Sequence, residues 1–208
     1  MKVSVLKSAL RSESRNDRSL GIQTYGESND YPQRCEEIIN ISGTGSSCLG
    51  IYSKFINRQG FEDANFYKSK LNGKGQTTDY MLSRIANDYA LYGGFAIHVN
   101  YNALYQIVEV QHVPFETVRF EKLNDNGNFN RLATHPDWGR RYQALRRFSK
   151  DDIKWFDFYN PDPHEIEKQV NAAESWEKWN GQIFYFSSKG EKTYPLTVYD
   201  AVLTDMST

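Results

Sequence analysis

Between positions 77 and 120 the apolar residues change period once, and the rest of the chain is arranged around that change. Met81, Leu82, Ile85, Ala86 and Tyr89 recur at the spacing of one face of a 3.6-residue helix. Thr77 or Thr78 is placed to cap its start, since a hydroxyl can accept a bond from an N–H two or three residues on. Gly93 can take the left-handed backbone that ends a helix. The period then falls to two: Phe95, Ile97 and Val99 point one way, and Ala96, His98 and Asn100 the other. Asn102-Ala103 reads as a turn, and 105–111 as the returning strand. The pattern predicts an α+β fold, an antiparallel sheet with hairpins packed against several helices.

The other segments read more simply. Residues 1–30 have little periodicity and are rich in Ser, Arg, Asn and Asp, so they are expected to form a flexible N-terminal arm. The single folded domain is expected over 31–208. Asn29 or Asp30 can cap a first helix, with Pro32 in its first turn. A second helix is expected over 46–57, after a bend at SGTGS. That glycine pair lacks the GxxxxGK[ST] pattern and a preceding strand, so it reads as a bend and not a phosphate cradle. Residues 61–76 read as a connector. Pro114 marks a turn, 117–123 a strand, 124–128 an Asn-Gly hairpin turn, and 129–133 its return. Asp162 and Pro163 open a surface helix running to about 174, with Trp176 and Trp179 anchoring its end. Residues 182–187 read as a strand, and a final helix is expected from Tyr194.

Composition narrows the function classes. The formal net charge is -1, which gives no basic footprint for tight phosphate-driven binding. Cys35 and Cys48 are too few for a disulfide framework or a cysteine zinc site. No apolar run approaches the ~18 residues of a membrane span, and a soluble, intracellular protein is expected. Aromatic residues make up 14% of the chain, enough to favour broad half-wet surfaces and interfaces.

Candidate chemistry is sparse. His98 and His112 lie on the two arms of the predicted hairpin with Glu109 nearby, the one constellation open to a metal-dependent hydrolase or nuclease. His135 and His164 sit in no motif. Asp151, Asp152, Asp200 and Asp205 offer carboxylates without the convergence a two-metal site needs. The one basic cluster is Arg140, Arg141, Arg146 and Arg147, interleaved with Trp138, Tyr142 and Phe148. Such a mixture can hold single-stranded nucleic acid by charge and stacking, or meet a neighbouring subunit. No catalytic residue, cofactor site or metal site is assigned.

In order along the chain stand YGESNDYPQR, FINRQGF, DYALYGGFAIHVNYN, VQHVPFETVRF, DFYNPDP and GQIFYFSSKGEKTYPLTVYDAVLTDMST. In order and spacing these segments resemble tailed-bacteriophage portal proteins of the kind carried by phages and prophages of Bacteroidetes. The resemblance runs from about Tyr25 to Thr208 and marks a scaffold, not a catalytic centre. It implies a virion protein made in the bacterial host cytoplasm. It further implies a subunit of a homo-oligomeric, dodecameric ring at one capsid vertex, through which double-stranded DNA is packaged and ejected. Terminase, the head–tail connector and capsid proteins are its implied partners, with no enzyme activity and no membrane. The chain corresponds to the N-terminal, wing-side portion, and is expected to be truncated, with 194–208 leading toward a stem helix. The rival readings are a phage-encoded nucleic-acid-binding protein using 138–148, and the metal-dependent hydrolase or nuclease.

Overall fold

A computed structural model describes residues 14–26, 28–58, 60–138, 150–188, 193–197 and 199–200. Its elements follow in chain order: β1 (Asn16–Asp17), β2 (Ile22–Gln23), α1 (Tyr31–Ile41), α2 (Gly43–Asn57), α3 (Ala64–Lys68), α4 (Thr78–Tyr92), β3 (Gly94–Tyr101), β4 (Ile107–Val113), β5 (Val118–Phe120), β6 (Arg131–Thr134), β7 (Lys154–Phe158), α5 (Pro163–Ala172) and β8 (Gln182–Ser187).

The helix–hairpin unit forms as its periodicity requires. Thr77 Oγ1 accepts from Tyr80 N, which caps α4, and Gly93 ends it at φ 75°. In the β3–β4 turn, Asn102 Oδ1 accepts from the N–H groups of Leu104 and Gln106. The side-chain acceptor replaces turn hydrogen bonds that the backbone alone would leave open. Gly94 carries no Cβ because Phe186 O would lie 2.6 Å from it and Phe115 Cζ 2.9 Å.

The main sheet runs β4-β3-β8-β7-β6-β5. Every neighbouring pair is antiparallel except β7 with β8, which α5 connects. Strand β8 enters the centre of the sheet, Ala96 facing Tyr185 and His98 facing Ile183.

Alternation along β3 separates the two faces of the sheet. Ala96 joins the main core with Tyr31, Cys35 and Ile39 of α1, Leu49 of α2, Leu91 and Tyr92 of α4, and Phe120, Leu132 and Ile183 of the sheet. Val99 and Tyr101, of opposite parity, pack against Ile166 and Val170 of α5. A smaller cluster of Ile22, Ala133, Trp138 and Ile153 closes the far end.

Both edges of the sheet are covered in part. On β4, Val110 N donates to Leu71 O at 2.9 Å and Val110 O accepts from Asn72 Nδ2 at 3.1 Å. Beyond β5, Ile22 bridges Glu121, and Lys122 N donates to Gly21 O at 2.8 Å. Short irregular segments thus occupy hydrogen-bonding groups that a bare edge would leave unpaired.

Four expectations need correction. The flexible arm is not seen over its described part: β1 and β2 pair, and Ile22, Tyr25 and Asn29 are buried. Residues 1–13 lie outside the described residues. The second helix starts at Gly43, because Ser42 alone makes the bend and its hydroxyl accepts from Gly45 N. The 61–76 connector contains α3, capped by Asp63. Over 194–197 the backbone is not helical; side-chain bonds from this segment to the core fix it instead.

Candidate functional site

The basic–aromatic residues Arg140, Arg141, Tyr142, Arg146 and Arg147 lie outside the described residues, as does Phe148. Trp138, at the edge of that stretch, is buried and its Nε1 donates to Thr117 O at 2.6 Å.

The histidines come together more closely than their spacing suggests. His98, His112 and His135 all line a cleft of about 520 Å³, together with Asp152, Lys154 and Phe156. Each ring already has a structural partner. His98 Nε2 lies 2.6 Å from Asn180 O, and a carbonyl only accepts, so that nitrogen carries the proton. Burial lowers the pKa of His98 and keeps the ring neutral at neutral pH. His112 Nε2 stands 2.7 Å from Asp88 Oδ2, which also accepts from Phe115 N at 3.2 Å. This buried carboxylate ties α4 to the corner after β4. His135 Nδ1 accepts from Asp137 N at 3.0 Å.

Glu109 does not join them. It accepts from Asn100 Nδ2 across the hairpin at 3.2 Å. Among the described residues no group of three or more His, Cys, Asp or Glu is placed to hold a metal ion. Asp200 accepts from Tyr31 Oη at 2.7 Å, and Asp151 and Asp152 sit in a short 3-10 turn. Cys35 is buried, with burial pushing its thiol up to about 12, while Cys48 is exposed.

The most elaborate polar centre is one that spacing does not reveal. Arg119 is fully buried on β5, and among the described residues its hydrogen bonds go to no carboxylate. Its Nε donates to Asn29 Oδ1 at 2.5 Å and its Nη2 to Asn29 O at 2.9 Å. Nη1 donates to the carbonyls of Glu116 and Val118. The rings of Tyr25 and Trp138 lie 5.5 and 5.6 Å from the guanidinium carbon. Burial lowers its pKa to about 10, so it remains a cation at neutral pH.

Around this cation the two ends of the described chain meet. Tyr25 stacks on Tyr194 at 4.2 Å, and its hydroxyl donates to Pro195 O. Tyr194 Oη donates to Gln23 O and accepts from Phe120 N. The signal in the sequence is the alternation itself: Val118 and Phe120 face the core, which puts Arg119 on the side that residues 22–29 cover.

A second feature was also hidden. Ile51 and Phe55 of α2 are 71% and 63% exposed. The helix has apolar residues on more faces than the fold covers, and that excess is its readable sign.

No protein-family model matches the chain, and no curated protein matches it. Among solved structures it is similar to a chain of "Virion of native gene transfer agent (GTA) particle", at 12% identity and a TM-score of 0.40, over 69% of this chain and 44% of that one. The chain therefore spans less than half the length of that similar chain.

Proposed function

We propose that this chain is the wing-side portion of a tailed-phage portal subunit. In this reading it is a non-enzymatic virion protein of a homo-oligomeric ring through which DNA is packaged and ejected. Terminase and the head–tail connector dock on the complete ring.

The observation that supports the reading is where the segments of the resemblance lie in the fold. YGESNDYPQR supplies Tyr25, Asn29 and Tyr31; VQHVPFETVRF supplies Arg119; and the final segment supplies Tyr194 and Asp200. These residues meet in one joint. DYALYGGFAIHVNYN forms the α4–β3 corner. DFYNPDP contributes Asn160, which holds Gln182, and Asp162, which caps α5. Segments that build joints suit a protein whose activity lies in the geometry of an assembly. A net charge of -1 also suits a channel that lets DNA slide, because phosphate neutralisation is what makes binding tight.

The test is native mass measurement with negative-stain microscopy on the product of the uninterrupted reading frame that encodes this chain. Rings with a central channel support the proposal. A monodisperse monomer overturns it.

A further inference from the structure

The chain contains three Asn-Gly steps, Asn72-Gly73, Asn126-Gly127 and Asn180-Gly181. Such a step carries its own chemistry. The glycine's backbone nitrogen can attack the asparagine Cγ, because no Cβ shields the approach. A C–N bond forms as the nitrogen gives up its proton, and the side-chain amide leaves as ammonia. Water then opens the cyclic imide. The net change is one water taken up and one ammonia released, and the product is aspartate or its β-linked isomer. This is one reason asparagine counts among the thermolabile residues. The attack needs a side chain free to swing onto the next nitrogen, and room for the small ring that forms.

At two of the three steps the fold withholds these conditions. Asn72 is 9% exposed, and its amide is held at both ends. Nδ2 donates to Gln76 Oε1 at 2.7 Å and to Val110 O at 3.1 Å, while Oδ1 accepts from Lys74 N at 3.1 Å and Gln76 N at 3.2 Å. Asn180 is tied to β7, its Nδ2 donating to Trp155 O at 3.0 Å. The glycine after it is buried against β3. A Cβ on Gly181 would lie 2.5 Å from Asn100 Oδ1 and 2.7 Å from Val99 O, so the backbone there has no room to rearrange.

Asn126 stands in the opposite situation. It is exposed in the turn between β5 and β6, and among the described residues its side-chain amide has no hydrogen-bond partner. A Cβ on Gly127 would meet nothing within 4 Å. The backbone around the step is held by its neighbour: Asn124 Oδ1 accepts from Asn126 N at 3.0 Å and from Asn128 N at 2.9 Å. Gly127 sits at φ 75°, and its N donates to Asn124 O at 2.9 Å. That bond opposes the attack, but it lies at an exposed tip where water can replace the carbonyl. Beneath the tip, Arg131 Nη2 meets Glu121 Oε1 at 2.7 Å. The turn can therefore change shape without unpairing β5 from β6.

We propose that Asn126 is a site of spontaneous deamidation, singled out by the fold from three Asn-Gly steps. Breaking a neutral hydrogen bond slows a step by about tenfold. The held amides of Asn72 and Asn180 therefore lag behind the unheld one. Conversion places a carboxylate beside Asp125 and makes the net charge of -1 one unit more negative. The β-linked product also adds a methylene to the backbone of the turn.

The experiment incubates the full chain in mildly alkaline buffer, where the attacking nitrogen loses its proton more readily. Samples taken over time are proteolysed, and each Asn-Gly peptide is followed by mass spectrometry. A parallel sample is unfolded in guanidinium chloride. In the unfolded sample the three steps are expected to convert at similar rates. In the folded chain, Asn126 is expected to outpace Asn72 and Asn180 by about tenfold or more. Asn126→Ser should remove that product and leave the other two peptides unchanged. Equal rates at the three steps of the folded chain, a lead at Asn72 or Asn180, or a folded chain that keeps Asn126 intact overturns the proposal.

Discussion

Arg119 grips Asn29 by both of its oxygens, the side-chain amide through Nε and the main-chain carbonyl through Nη2. Asn29 sits at φ 57°, and its Oδ1 also accepts from Tyr25 N. The bond therefore fixes a left-handed turn just ahead of α1. Replacing Arg119 with Met keeps much of the volume but leaves Asn29 and two carbonyls without their donor. A loss of about 2–4 kcal/mol is expected in urea unfolding. Asn29→Ala in the Arg119→Met background should add much less than in the wild type. Independent, additive losses would show that the two residues do not act together.

Gly94 is expected to be less replaceable than Gly93, although Gly93 is the one with positive φ. A methyl at Gly93 mainly meets backbone strain of about 1 kcal/mol. A methyl at Gly94 meets the Phe186 carbonyl at 2.6 Å and the Phe115 ring at 2.9 Å. Gly94→Ala should lower stability by about 3 kcal/mol, since neither backbone nor a packed ring yields cheaply. Equal thermal midpoints for the two alanine variants would contradict this placement.

Glu116 gives the fold a pH dependence. Burial raises its pKa from 4.5 to about 7, helped by Asp88 and Glu36 and opposed by His112. The folded chain thus holds a proton that the unfolded chain has released between these values. The favourable contribution is fully present below pH 4.5, is lost as pH rises to about 7, and changes little above that. Glu116→Gln should flatten this segment of the profile and be relatively more stable at pH 8 than at pH 4.5. Urea midpoints at both pH values check the sign.

Gln182 is the polar pin between the two sides of β8. Its Oε1 accepts from Tyr101 Oη at 2.9 Å and Asn160 N at 3.0 Å. Its Nε2 donates to Asn160 O at 3.0 Å and Gln169 Oε1 at 2.7 Å. Gln182→Met should cost about 2–4 kcal/mol, since the partners stay buried without replacements. Pairing it with Tyr101→Phe in a double-mutant cycle should reveal coupling near 1 kcal/mol, roughly one neutral hydrogen bond.

How much the sequence revealed depends on how local each signal is. The α4 helix, its Thr77 cap, its Gly93 stop and the β3–β4 hairpin all lie within 37 consecutive positions, and all follow from period and turn chemistry. The place of β8 does not, because Ala96 meets Tyr185 across a long stretch of chain and several strands have the same apolar character. Arg119 was unreadable as a buried cation for a related reason. Its partner is an asparagine 90 positions away, not a nearby acid. The histidines show the opposite error: His98 and His112 do share a cleft, yet each is engaged by a structural partner, Asn180 O and Asp88.

The covered rims of the sheet bear on how copies of this chain can crowd together. Leu71 and Asn72 occupy one outer strand, and Gly21 and Ile22 the segment beyond the other. A neighbour adding its own strand at Val110 or beside Glu121 would first have to displace these plugs. At these rims, contact with another chain is therefore left to side chains. The same plugs guard against runaway cross-chain zippering, the pairing that a long bare sheet edge invites.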